Sequence, residues 1–310
     1  MSGLRVGLDL GGTKLGGVIV DSNDVVLASL AVPSPSHGRW VVTTTVELID
    51  ELCKEVGITR SEIDFVGLGI PGLIGTDGRI YGCPHVPGLQ QIDLRVEIQA
   101  ISSWQVALDN DVNCAALTAL SFGSSFVLLT IGTGIGGALV TGSSIEKGSR
   151  GFAGEPGHMI VVAGGDLCTC TKRGCLEVYA SGRALTQRGE KEFARGRLSE
   201  LVDPRNPYKV PSPAAILGAC ATNEACAEIV TDFCFYLAVG ISNLLEICDF
   251  EKVLIGGGVS GSFEHFREKL TQQYLAVMPS SRLRQDVKID KVEFGPLAGA
   301  IGASRLNPST

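Results

Sequence analysis

The sequence predicts an α/β protein in which one sheet motif occurs twice. Three observations carry this expectation. Short apolar runs of strand length alternate with longer runs at helical spacing. Residues 12–20, GTKLGGVIV, align with residues 132–140, GTGIGGALV, keeping Gly, Thr, Gly, Gly and Val at an offset of 120. Glycine, with 40 of 310 residues, is nearly twice as common as in an average protein, which implies many sharp turns or close backbone approaches. The length suits about two domains of roughly 150 residues each. An apolar share of 45% with 19% charged residues is the balance of an ordinary folded globule.

Taken in order, residues 4 to 10 (LRVGLDL) form an apolar strand ending in Gly11-Gly12-Thr13-Lys14, followed by strands over Leu15 to Val20 and Val25 to Val32. A strand, a Gly-Thr turn and a returning strand gather backbone N–H groups at one edge, where glycine lets a bulky anion approach. Phosphate cradling follows for this turn and for its copy at Gly132, Thr133 and Gly134. Neither is a Walker A loop, since no G-x-x-x-x-G-K-[ST] occurs, and neither is a Rossmann fingerprint, since the glycines lead into a strand.

Trp40 to Val56 carries apolar residues at helical spacing, and Ile63 to Ile70 is a strand ending in Pro71-Gly72. Gln105 to Leu108 is a strand that delivers Asp109, Asn110 and Asp111 to its carboxyl end, where open α/β sheets bind ligands. A helix from Val112 to Phe122 follows. Asp111 suits a helix N-cap, but Asn110 and Asp111 together read better as a hydroxyl-binding and proton-accepting pair. Further helices are expected over Gly182 to Glu192 and Pro213 to Cys220, separated by RGRLSELVDPRNPYKVPSP, a surface loop or lid connection. Glu224 to Cys248 is a long core helix. Phe250 to Ile255 is a buried strand ending in Gly256-Gly257-Gly258, where backbone can lie against a flat ligand. The last helix, about Pro296 to Leu306, is rich in Gly and Ala and can pack closely.

The densest chemistry lies between Gly154 and Glu177, GEPGHMIVVAGGDLCTCTKRGCLE. His158, followed ten residues later by C-x-C and then by a third Cys, supplies with Cys168, Cys170 and Cys175 the Cys3His set of a closed tetrahedral zinc site. A disulfide is the alternative, disfavoured in a reducing compartment. Three thiolates already balance the zinc charge, which leaves Glu155 and Glu177 to face something else, such as a polyhydroxylated substrate. The other seven cysteines read as small buried hydrophobes.

A net charge of −7 and a pI near 5.2 argue against a nucleic-acid partner, which needs a clustered basic face. The chain enters an apolar strand directly after Met1-Ser2-Gly3, with no signal-peptide pattern and no run of about eighteen apolar residues. The expectation is a cytoplasmic protein with no membrane partner.

These stretches together resemble the ROK (repressor, open reading frame, kinase) group of sugar kinases, over nearly the whole chain. The resemblance is carried by D-L-G-G-T-K at 9 to 14, D-N-D at 109 to 111, G-T-G-I-G-G at 132 to 137, G-E-P-G-H at 154 to 158, C-T-C-T-K-R-G-C-L-E at 168 to 177 and I-G-G-G-V at 255 to 259. It implies a two-lobed actin-like ATPase (ribonuclease H-like) fold with a duplicated sheet and a zinc knuckle. The implied N-terminal lobe is 1–111 plus 296–310, and the C-terminal lobe is 112–295 with the zinc site. A sugar and Mg-ATP would lie in the cleft.

On that resemblance, Asp111 is the catalytic base, and Asn110, Glu155, His158, Glu177 and Gly72 contact the sugar. His158, Cys168, Cys170 and Cys175 hold structural zinc. Gly11, Gly12, Thr13 and Lys14, with Gly132, Thr133 and Gly134, meet the phosphates; Asp9 lies near Mg2+, and Gly257 and Gly258 near the adenosine. A homo-oligomer, dimer or tetramer, is implied as well. Two positions depart from the family pattern: Thr171 stands where glycine is common, and PHVPGL at 84 to 89 replaces the P-N-L-P-G-W of many glucose-specific members. Glucose 6-phosphorylation is the leading expectation and N-acetylmannosamine or N-acetylglucosamine phosphorylation its competitor. The family's sugar-responsive repressors carry an N-terminal helix-turn-helix, which is not expected here because the first phosphate turn is reached by Gly11, and an actin-like chaperone or filament ATPase leaves Glu155, His158 and Glu177 without a purpose.

Overall fold

A computed structural model describes residues 3–84, 86–202, 210–278 and 286–307. His85 and the middle of the Pro-rich connection, 203–209, lie outside the described residues, as do Met1 and Ser2. The chain divides into two compact units, Met1–Ser124 with Ala138–Ala153 and Phe294–Thr310, and Ser125–Gly137 with Gly154–Glu293.

In the first unit, β1 (Leu4–Leu10), β2 (Lys14–Val20) and β3 (Val26–Pro33) form the expected antiparallel meander. Helix α1 (Val41–Val56) buries Leu48, Ile49 and Leu52 and stops at Gly57, whose φ of 79° lets its N–H reach back to the Cys53 carbonyl. Strand β4 (Ile63–Ile70) is buried almost throughout, as a parallel strand covered on both faces must be. A short hairpin, β5 (Leu73–Ile74) and β6 (Ile80–Gly82), precedes α2 (Leu94–Ile101), β7 (Gln105–Asn110) and α3 (Asp111–Thr118). The sheet order is β3-β2-β1-β4-β7, with β1, β4 and β7 parallel.

The second sheet repeats this plan. Strands β8 (Phe126–Ile131), β9 (Ile135–Thr141) and β10 (Ser144–Ile145) are followed by helices α4 (Glu177–Ala180), α5 (Gly182–Ala194), α6 (Pro213–Gly218) and α7 (Glu224–Cys248). Strand β11 (Lys252–Gly256), α8 (Phe263–Val277) and β12 (Lys288–Lys291) complete it, in the order β10-β9-β8-β11-β12 with β8, β11 and β12 parallel. The order matches the first sheet strand for strand, which is the duplication that the 120-residue offset predicts.

Helix α7 is long and apolar enough to cross a membrane by length and composition. Most of that stretch is buried, with Phe233 edge-on to Phe266 of α8 at 5.4 Å, as in the core helix of a globular unit. In the sequence the stretch is not a continuous apolar run, because Glu224, Glu228 and Asp232 interrupt it on the helix's exposed face.

Helix α9 (Ala298–Ser304) packs on β1, β4 and α3. A side chain at Gly7 would overlap the Ala300 carbonyl oxygen and one at Gly67 that of Ala303, so the helix lies directly on the sheet backbone. Several helices are shorter than expected, α6 among them, which ends at Gly218 and not Cys220. Helix α3 ends at Thr118 and passes into a 3-10 turn through Phe122, and α9 begins two residues after Pro296. Of the seven scattered cysteines, Cys220 is only partly buried and Cys248, in the last turn of α7, is exposed, against the expectation that all would be buried.

Candidate active site

In the first unit, the β1–β2 turn closes with the Gly11 N–H on the Lys14 carbonyl at 2.9 Å. Gly12 and Thr13 are exposed at its tip. Ser34, which the sequence did not single out, braces the turn: its N–H donates to Thr13 O (3.0 Å) and its hydroxyl to Gly11 O (2.7 Å). Asp9 and Lys14 share a small cavity of about 170 Å3 with Pro296 and Leu297. Burial raises the Asp9 carboxyl above its ordinary value, and the Lys14 charge offsets part of that.

At the end of β7 the structure reassigns the helix cap. Asn110, not Asp111, is the N-cap of α3, its Oδ1 accepting from the N–H groups of Val112 (2.8 Å) and Asn113 (3.3 Å). Its Nδ2 donates to the Gly72 carbonyl at 3.1 Å, so Gly72 enters the site through its backbone. Asp111 is the first helical residue and half-buried.

Beneath them Asp109 is buried. Its Oδ1 accepts from Asn110 N (2.7 Å) and Asn113 Nδ2 (2.8 Å), and its Oδ2 pairs with Lys147 Nζ at 2.9 Å. Burial, and then the Asp109, Asp111 and Asp9 carboxylates, push the Cys114 thiol well up. The first turn and the D-N-D stretch thus converge around one buried thiol.

In the second unit, the Gly132 N–H closes the β8–β9 turn on Gly134 O at 2.9 Å. Glu155 precedes a one-turn 3-10 helix, Pro156–His158. A side chain at Gly157 would overlap the Ile135 carbonyl oxygen, so this helix lies hard against the start of β9 and sets Glu155 and His158 beside the turn. Glu177 approaches from the start of α4, its Oε2 accepting from Ile135 N–H at 3.0 Å.

The ligand atoms of His158, Cys168, Cys170 and Cys175 all lie within 4.8 Å of one another. Cys170 Sγ is 3.6 Å from Cys175 Sγ, and Cys168 Sγ is 3.7 Å from His158 Nδ1. Zn–S bonds of about 2.3 Å in a tetrahedron require edges of about 3.8 Å, so the residues fit zinc. Burial, and then hydrogen bonding from Cys170 and Cys168, pushes the Cys175 thiol up to about 12. Such a thiol ionises readily only with a cation among the sulfurs. Cys168, Cys170 and Cys175 are not disulfide-bonded, which sets the disulfide alternative aside. Thr171, at the departure from the family pattern, has φ of 71°, a left-handed conformation that strains a β-branched residue.

A cavity of about 610 Å3 opens beside the second turn, lined by Gly132 and Thr133, by Gly182, Arg183 and Thr186 of α5, by Ser212, Pro213, Ala214 and Leu217 around α6, and by Gly258, Val259 and Ser262. Gly258 is a wall of it and Gly257 is not. With φ of 82°, Gly257 backs onto Ile131, where a side chain would come within 2.6 Å of the carbonyl oxygen. In the sequence the α6 contributors carry no local mark, and the Y-A-S-G-R-A-L stretch at 179 to 185 is the one signal for Gly182 and Arg183.

Two matching sheets, each with a glycine turn between its first strands, define the actin-like ATPase fold. The chain belongs to the ROK family, whose model matches residues 5–309. It is 27% identical over 316 residues to a glucokinase of Streptomyces coelicolor, covering 98% of this chain and 97% of that one. It is 30% identical over 325 residues to an N-acetyl-D-glucosamine kinase of Yersinia enterocolitica, covering 98% and 99%. Among solved structures, a ROK family glucokinase from Streptomyces griseus in complex with glucose and AMPPNP superposes with a TM-score of 0.77 at 25% identity, covering 97% of this chain and 98% of that one.

Proposed function

We propose that this protein is an ATP-dependent sugar kinase that phosphorylates the C6 hydroxyl of a hexose, with glucose the first candidate. The observation that carries the reading is the second unit's juxtaposition of Glu155, His158 and Glu177 with both a Cys3His cluster and a phosphate turn. Carboxylates and an imidazole suit sugar hydroxyls, and the turn suits the group being transferred.

Asp111 accepts the hydroxyl proton as the oxygen attacks the γ-phosphorus and the bond to the β–γ bridging oxygen breaks, releasing ADP, while Asn110 fixes the start of α3. In phosphoryl transfer the protein mostly positions groups and neutralises charge. Thr13 and Thr133 with their glycines hold the phosphates, and Mg2+, with Asp9 near it, would supply positive charge. Arg183, Ser212 and Gly258 border a cavity roomy enough for a nucleoside, which favours a nucleoside triphosphate donor. Zinc held by His158 and the three cysteines would stiffen the wall that carries Glu155 and Glu177 and fix the imidazole for a hydroxyl contact.

An amino-sugar substrate is the second reading, favoured by the 30% identity to an N-acetylglucosamine kinase. ADP release with Mg-ATP, measured across glucose, mannose, fructose, N-acetylmannosamine and N-acetylglucosamine, separates the two. Stimulation by glucose above the amino sugars supports the first; the reverse order supports the second. No stimulation by any of them leaves a sugar-responsive regulator without kinase activity.

A further inference from the structure

The two phosphate turns are held in different ways. In the first, Ser34 supplies both braces, one to Thr13 O and one to Gly11 O. In the second, N–H groups at the start of α5 serve instead: Arg183 on Thr133 O (3.3 Å), the counterpart of Thr13 O, and Gly182 on Gly132 O (2.8 Å), one residue past the counterpart of Gly11 O. A third brace has no counterpart among the described residues of the first turn: the Glu177 carboxylate accepting from Ile135 N–H at 3.0 Å. A side chain at Gly134 would overlap Glu177 Oε2, so carboxylate and turn are packed to contact.

A carboxylate is the wrong charge for the rim of a phosphate cradle, because it repels the anion that the turn's N–H groups attract. The same carboxylate belongs to the set read above as holding sugar hydroxyls. One oxygen is committed to the turn, and Oε1 is the one left to meet a hydroxyl.

We infer that Glu177 is a positioning residue that couples the two substrates, making the second phosphate turn receptive to nucleotide only when sugar is in place. Without sugar, the full carboxylate charge stands against the turn and disfavours the terminal phosphate. A sugar hydroxyl donating to Oε1 draws charge away from Oε2 and fixes the side chain, and the turn then accepts the phosphate. Sugar and nucleotide therefore bind with positive cooperativity, and ATP is protected from attack by water while sugar is absent. This rests on the sugar-kinase reading.

The test is calorimetric titration of the magnesium complex of a non-hydrolysable ATP analogue into the zinc-loaded protein, with and without the sugar that best stimulates ADP release. In the wild type, saturating sugar is expected to tighten nucleotide binding by at least about 5-fold, the lower range of allosteric coupling. Glu177→Gln keeps an oxygen for Ile135 N–H but carries no charge. It should bind nucleotide more tightly than wild type without sugar, show a sugar effect below about 2-fold, and hydrolyse ATP faster in the absence of sugar.

Gly134→Ala, which displaces the carboxylate while leaving Glu177 in the chain, should lose the coupling too. It stands in if Glu177→Gln fails to fold, as judged by zinc content and melting temperature. A Glu177→Gln protein that binds sugar weakly but keeps the wild-type coupling overturns the inference, as does a wild type in which sugar binds without affecting nucleotide. If no sugar binds the wild type, the kinase reading fails first and this inference with it.

Discussion

Lys147 and Asp109 form an ion pair, Nζ to Oδ2 at 2.9 Å, in which the Asp109 side chain is only 5% exposed. The pair sits two residues before Asp111 and holds the strand end from which α3 starts. Replacing Lys147 by Met leaves a buried carboxylate without its cation, for which about 3 kcal/mol of lost stability is expected. Denaturant titration measures this. Partial rescue by Lys147→Arg, and loss of turnover in Lys147→Met at temperatures where it is still folded, would tie the pair to the placement of Asp111.

Asp111→Asn keeps the size of the side chain and removes its basicity. Turnover is expected to fall by about 10²–10⁴-fold, the usual contribution of a positioned base, while sugar binding persists. ADP release and equilibrium sugar binding read the two effects separately. Near-normal turnover would take the base role from Asp111.

One zinc per chain is expected by elemental analysis of protein purified without chelator. Cys168→Ser should lose most of it, since three ligands bind far less tightly than four, and should melt at lower temperature. Full activity in protein shown to be free of zinc would sink the cluster's role.

Thr171→Gly should be neutral or stabilising by up to about 1 kcal/mol. A left-handed β-branched residue costs roughly 1–2 kcal/mol, and the added backbone freedom of glycine offsets only part of that relief. Thermal melts of the zinc-loaded pair decide the sign, and a clear loss of stability would show that the Thr171 side chain contributes something the strain argument omits.

Asp9 gives a pH prediction. Burial raises its pKa above 3.8 in the folded protein, so the favourable state is the protonated one. The associated stability is fully present below 3.8 and is lost as pH rises through the raised value. In magnesium-free buffer Asp9→Asn should therefore melt higher than wild type at pH 7, with the difference shrinking toward pH 4. A constant difference across that range would mean that ionisation of Asp9 is not its cause.

The sequence by itself determined the elements and the clusters that rest on short spacing. The Gly-Thr turns, the D-N-D stretch and the His158-to-Cys175 ligand set are local patterns, and the duplicated sheet was visible because a repeat can be counted. Even the cap at Asn110 was missed by a single residue, since Asp and Asn serve that position equally and only backbone angles choose between them.

The tertiary structure decided which residues serve these patterns from a distance. Ser34 braces Gly11 across 23 positions, Lys147 pairs with Asp109 across 38, and Glu177 reaches Ile135 across 42. Those partnerships depend on how strands and helices pack, and a charged or hydroxyl side chain looks the same in a sequence whether it faces solvent or a buried turn. For the same reason Gly257 and Gly258, adjacent in the chain, part company in space, one packed against β8 and the other lining the cavity.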